Sequence, residues 1–216
     1  MTFTIYLDIL FNEKVFESLK GMGIIMNLPN KLTVIRVLLV PLFIFFVTLK
    51  DIPYNYLWAL IVFSVASFTD FLDGNIARKN NLVTDFGKFM DPLADKILTT
   101  VAIIYITSDG VCSPIVLILI LVREFAVSGV RMVASGSKGR VIAANIWGKM
   151  KTVLQIVVII WYYFAISLQL EFKVLFVNSS IPQISTNILM WLVAISTVLS
   201  GWQYVWANRD LIKTAK

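Results

Sequence analysis

The sequence predicts an all-α integral membrane protein, a bundle of six transmembrane helices, and three observations predict it. Hydrophobic residues make up 58% of the 216-residue chain and the mean hydropathy is +0.82, far outside the range of soluble domains. Apolar runs long enough to cross about 30 Å of hydrocarbon recur six times, near 31–50, 54–78, 91–108, 113–135, 148–168 and 186–207. The basic residues are also unevenly placed. With a cytoplasmic N-terminus, 17 of the 19 Lys and Arg fall in inside loops or inside helix ends, and only Lys50 and Lys173 fall outside. The positive-inside rule then puts both termini in the cytoplasm.

Residues 1–25, MTFTIYLDILFNEKVFESLKGMGII, are partly amphipathic and lack the basic start and cleavage site of a signal peptide. They form either an extension ahead of Met26 or an interfacial segment. Residues 26–216 form one six-helix domain, without internal repeat or linker. Asn27-Leu-Pro-Asn30 opens the first helix, with Asn30 as N-cap. The outer loops are small: around Asp51, around Asp109, and a longer one from Glu171 to Ser185. Trp58, Trp161, Trp191, Trp202 and Trp206 lie mostly towards helix ends, as interfacial anchors do.

Residue types narrow the chemistry. The chain has no histidine and one cysteine, Cys112, so disulfides within the chain and the usual zinc sites are excluded. Catalysis or metal binding must rest on carboxylates. The net charge of +6 suits anionic lipid and phosphate-bearing ligands and needs no nucleic acid.

Five aspartates crowd the stretch DFLDGNIARKNNLVTDFGKFMDPLAD, from Asp70 to Asp95. Asp70 and Asp73 are i, i+3 neighbours at the end of the second span; Asp91 and Asp95 are i, i+4 neighbours at the start of the third. Each pair shares a helix face. An interfacial cap accounts for one such residue. Four of them beside hydrocarbon would repel and cost several kcal/mol each to desolvate, so a cation belongs among them. Oxygen donors select Mg²⁺, Mn²⁺ or Ca²⁺, and four carboxylates suffice for two ions. Gly74 and Ala77 share the face of Asp70 and Asp73, and Gly87 lies one turn before Asp91 if the third helix begins ahead of its apolar run. A helical glycine costs about 1 kcal/mol relative to alanine, which points to a bulky ligand against the backbone. Arg78, one turn past Gly74, can reach a phosphate.

Written out, Asp70-x2-Asp73-Gly74-x2-Ala77-Arg78-x8-Gly87-x3-Asp91-x3-Asp95 resembles the complete signature of the CDP-alcohol phosphotransferases, with every specified position and spacing matched. The resemblance implies that family's six-helix fold, a homodimer and a cytoplasm-facing site holding two metal ions. Under it, Asp70, Asp73, Asp91 and Asp95 hold the metals and Asp95 is also the candidate base. Gly74, Ala77 and Gly87 leave room for the cytidine nucleotide and Arg78 contacts its phosphates. The family's use of the first helix start makes Asn30 and Thr33 further nucleotide candidates.

A second constellation lies in the other half. Arg123 and Glu124 interrupt the fourth apolar run, Arg131 follows about two turns on, and Lys149 and Lys151 open the fifth helix. Arginines at such depth need an anion, either a carboxylate such as Glu124 or a bound phosphate. The lysines alone read equally well as inside loop charge. The strings NLPNKLTVIR, REFAVSGVR and GKMKT are similar to the bacterial phosphatidylglycerophosphate synthase family from Met26 onward. That likeness implies CDP-diacylglycerol and glycerol 3-phosphate as substrates, with Arg123, Arg131, Lys149 and Lys151 on the acceptor phosphate. Relatives using inositol phosphate, serine or phosphatidylglycerol share the signature. A divalent-cation transporter could also line its path with aspartates, although here the acids cluster at one face.

Overall fold

A computed structural model describes residues 28–79, 85–138 and 146–207, with Glu17 and Gly21; side chains are described at 30–70, 93–94, 96–130 and 148–206. Its described elements are helical: α1 (Leu28–Thr48), α2 (Asn55–Lys79), α3 (Asp85–Ser108), α4 (Pro114–Lys138), α5 (Ile146–Ile166), a π-helical turn (Ser167–Glu171) and α6 (Ile181–Ala207). Asn30–Thr48, Gly148–Glu171 and Ile181–Trp206 are each long and apolar enough to cross a bilayer, and Lys96–Ser108 is a shorter apolar helix, among the described residues. The chain divides into two compact units, Met1–Val101 with Ile166–Leu175, and Ala102–Ala165 with Phe176–Lys216.

In the first unit α1 packs on α2. Phe46 stacks on Trp58 with ring centroids 6.0 Å apart, Phe43 meets Phe63 at 6.1 Å, and Arg36 meets Asp70 at 2.7 Å. Partners that descend along α1 as they ascend α2 define an antiparallel hairpin. Ala59 and Ala66, both fully buried, bring the two backbones close. Glu171, at the end of the π-helical turn, ties down the start of α2: its Oε1 accepts from the Tyr56 N–H at 2.6 Å and its Oε2 from Leu57 N–H at 3.2 Å. The carboxylate thereby satisfies amides that have no partner within the helix.

In the second unit α4 packs on α6. Val116, Ile120 and Val127 of α4 are buried, as are Met190, Val193 and Ala194 of α6. From α5, the Tyr162 hydroxyl donates to Asp109 at 2.7 Å and Trp161 Nε1 donates to Ser185 at 3.0 Å; Asn187 Nδ2 donates to the Val111 carbonyl at 2.7 Å. Cys112 is buried in the short loop before α4, and burial pushes its thiol pKa up, away from the reactive thiolate. Opposite the buried faces run continuous apolar stripes: Ile115, Ile118, Val122 and Phe125 on α4, and Ile184, Ile188, Leu192, Ile195, Leu199 and Trp202 on α6, all exposed. Stripes of that length are unstable in water and fit lipid.

Candidate active site

The first unit carries a polar stripe inside an apolar helix. Asn30, Thr33 and Arg36 recur every three residues along α1 and are 1%, 0% and 1% exposed. A guanidinium taken out of water needs an anion, and Arg36 Nη1 lies 2.7 Å from Asp70 Oδ1. The Asp70 side chain is 39% exposed, so the pair has a buried cation and a carboxylate at the rim. Arg36 thus fixes the direction of the first aspartate in the signature.

Asp73 lies one turn beyond Asp70 in α2. Because α3 begins at Asp85, Gly87, Asp91 and Asp95 fall at successive four-residue steps of one helix, on one face by backbone register. The side-chain placements proposed for Asp73, Gly74, Ala77, Arg78, Gly87, Asp91, Asp95 and Arg131 lie outside the described residues. Carboxylate oxygens with neither imidazole nor an exposed thiol nearby are a donor set that fits a hard divalent cation. The rim position of Asp70 is compatible with that role.

The second unit gathers charge differently. Glu124 Oε1 accepts from Arg123 Nη1 at 3.3 Å and also from Lys151 Nζ. The side chains of Arg123, Glu124 and Lys151 are 13%, 18% and 2% exposed. Two cations on one carboxylate leave this trio at +1. Arg123 Nη2 donates to Ser200 Oγ at 3.1 Å, and Ser200 Oγ donates to the Thr197 carbonyl at 3.0 Å. Arg123 Nε is buried with no hydrogen-bond partner among the described residues.

Two glycines shape this cluster. A Cβ at Gly201 would lie 2.7 Å from Arg123 Cγ, closer than real side chains approach, and one at Gly148 would lie 3.5 Å from Nη2, at ordinary contact. The arginine therefore passes directly over the α6 backbone. One turn further into each helix, the buried Gln155 Oε1 and Thr197 Oγ1 also have no hydrogen-bond partner among the described residues. Lys151 belongs to this cluster, whereas Lys149, two positions earlier on α5, is exposed.

Arg36, Ser200, Gly148 and Gly201 join these clusters in addition to the residues expected from the sequence. The Asn30-Thr33-Arg36 spacing was the available signal for the first. A glycine inside an apolar helix is the signal for Gly201, as it is for Gly74.

A chain with six long described helices, an aspartate signature across two of them and a buried cationic cluster falls into a recognised class. The chain belongs to the CDP-alcohol phosphatidyltransferase family, which it matches over residues 26–200, and it is a multi-pass membrane protein. It is similar to the Bacillus subtilis (strain 168) protein named CDP-diacylglycerol--glycerol-3-phosphate 3-phosphatidyltransferase, with 40% identity over 200 residues, 88% of this chain and 98% of that relative. Relatives of the same name in Rickettsia felis (38% identity, 82% of this chain and 93% of the relative) and Escherichia coli K12 (32%, 86% and 97%) are also similar. Members of the family generally use divalent metal ions.

Proposed function

We propose that this chain transfers the phosphatidyl group of CDP-diacylglycerol to glycerol 3-phosphate, giving phosphatidylglycerophosphate and CMP. The observation that carries the acceptor assignment is the buried Arg123–Glu124–Lys151 cluster. Among the described residues its charges sum to +1 and Arg123 Nε has no hydrogen-bond partner, which suits a phosphate monoester, a group that serine lacks. Glu124 keeps the two cations together while that phosphate is absent. Arg131 and Lys149 complete the proposed acceptor set.

Asp70, Asp73, Asp91 and Asp95 are the proposed ligands for two Mg²⁺ or Mn²⁺ ions. When bound, such ions offset the charge of the pyrophosphate and of the departing CMP. Gly74, Ala77 and Gly87 leave space for the nucleotide, Arg78 meets its phosphates, and Asn30 and Thr33 face it from α1. Asp95 takes the proton of the acceptor hydroxyl. That oxygen then bonds to the lipid-bearing phosphorus as the bond from this phosphorus to the CMP oxygen breaks. Arg36 keeps Asp70 in position through the ion pair.

The site faces the cytoplasm in a homodimer of the bacterial cytoplasmic membrane with both termini inside. There a water-soluble nucleotide and acceptor meet a lipid whose acyl chains stay in hydrocarbon. Residues 26–216 form the catalytic domain.

The test is purified protein in liposomes with CDP-diacylglycerol and a panel of acceptors, the product lipid being identified by mass. Phosphatidylglycerophosphate and stoichiometric CMP are expected with glycerol 3-phosphate. EDTA should stop the reaction, and Mg²⁺ or Mn²⁺ should restore it without ion flux. Product from inositol phosphate, serine or phosphatidylglycerol instead would overturn the acceptor, and ion flux without CMP would overturn the reaction.

A further inference from the structure

Lys50 and Lys173, the two basic residues that the charge pattern sets apart from the other seventeen, line the same groove. It lies in the first unit, has a volume of about 560 Å³, and is walled in part by Lys50, Tyr54, Asn55, Leu170, Glu171 and Lys173. Both lysines are exposed, and neither makes an ion pair among the described residues. Asn55 is 6% exposed, and its Nδ2 has no hydrogen-bond partner among the described residues. A buried amide donor left in this state wants an acceptor.

The backbone is unusual at the same place. Tyr54 and Lys173 have φ of 58° and 52°, the left-handed region that side-chain-bearing residues avoid. Such conformations persist where the surroundings fix them and are frequent at ligand clamps. Here the Tyr54 ring packs on Phe172 at 5.3 Å. The Glu171 carboxylate in the wall is already engaged by the Tyr56 and Leu57 amides and offset by the positive end of α2.

Apolar surface beside the groove selects the occupant. Phe172, Val174 and Leu175, next to Lys173, are 44%, 70% and 50% exposed, an arrangement suited to the boundary between hydrocarbon and head groups. The anion available at that depth is a lipid phosphate. We propose that this groove binds the phosphate of an anionic glycerophospholipid head group, between the Lys50 and Lys173 ammoniums and within reach of Asn55 Nδ2. From Asn55 to Asp70 is fifteen residues along α2, about 22 Å, so the lipid held here is distinct from the substrate of the aspartate site.

Purified protein in uncharged detergent, wild type and the Lys50→Gln/Lys173→Gln double variant, is titrated with short-chain phosphatidylglycerol, phosphatidylcholine or inorganic phosphate while thermal unfolding is followed. Both lysines are exposed, so the variant keeps its fold, and CMP release from CDP-diacylglycerol should match wild type. The phosphatidylglycerol concentration giving half-maximal stabilisation should rise on the order of fivefold per lysine removed. The difference between the two proteins is the readout, because stabilisation by phosphatidylglycerol elsewhere on the protein is common to both. Identical phosphatidylglycerol curves for the two proteins would overturn the proposal. Inorganic phosphate or phosphatidylcholine reproducing the difference at the same concentrations would also overturn it.

Discussion

Each unit buries a cation against a carboxylate, and among the described residues the two arrangements differ in stoichiometry. In the first unit Arg36 is 1% exposed and its partner Asp70 is 39% exposed, one charge against one. In the second, Arg123 and Lys151 share Glu124, two charges against one, with all three side chains largely out of solvent. A matched pair orients its carboxylate without leaving a surplus, which suits a residue needed as an oxygen donor at the rim. An unmatched trio keeps positive charge in a region of low dielectric, which suits capture of an anion.

The largest effect that bears on this contrast is chemical. Asp95→Asn removes the proposed base, which is also a proposed metal ligand, without disturbing any described ion pair. CMP release should fall on the order of 10³-fold while the unfolding temperature in detergent stays close to wild type. Near-normal turnover would remove Asp95 from the mechanism.

The next effect is on stability and compares the clusters directly. Glu124→Gln withdraws the carboxylate from two buried cations and should destabilise the protein by about 3–5 kcal/mol. Asp70→Asn leaves an amide oxygen for Arg36 at a half-exposed position and should cost about 1–3 kcal/mol. Thermal or denaturant unfolding in detergent gives the ranking, and the reverse order would break the distinction between the matched and unmatched arrangements.

Much of the fold was legible because apolar runs of membrane length leave few alternatives. α2 begins at Asn55 and α4 at Pro114, each one residue from the expected span. α3 and α6 start ahead of their apolar runs, which open near 91 and 186. α3 begins at Asp85, and hydropathy alone gives no signal there, because Asp85, Gly87 and Lys88 break up the apolar run without breaking the helix. α6 begins at Ile181, with Pro182 in its first turn, where a missing N–H is tolerated.

The site was legible where its residues are neighbours in sequence and illegible where they are not. The aspartate spacing put Asp70 and Asp73 on one helix face without any structure. Ser200 is 77 residues from Arg123, and the role of Gly201 depends on an arginine on another helix lying over it. Arg36 read only as inside charge because nothing local to α1 names Asp70 as its partner.

The smallest effect sharpens the contrast at a single carbon. Gly201→Ala places a methyl group 2.7 Å from Arg123 Cγ, too close for both to stay in place, so the arginine side chain must move. KM for glycerol 3-phosphate should rise several-fold, on the order of the 1–2 kcal/mol of modest overpacking, with kcat nearly kept.

Arg123→Ala is the direct test that the unmatched cluster is the acceptor site, with steady-state kinetics measured against glycerol 3-phosphate and CDP-diacylglycerol separately. KM for glycerol 3-phosphate should rise at least tenfold, the loss of a charged hydrogen bond to phosphate, with KM for CDP-diacylglycerol unchanged. A folded variant with wild-type KM for glycerol 3-phosphate, or with the loss confined to CDP-diacylglycerol, would show that the acceptor phosphate binds elsewhere.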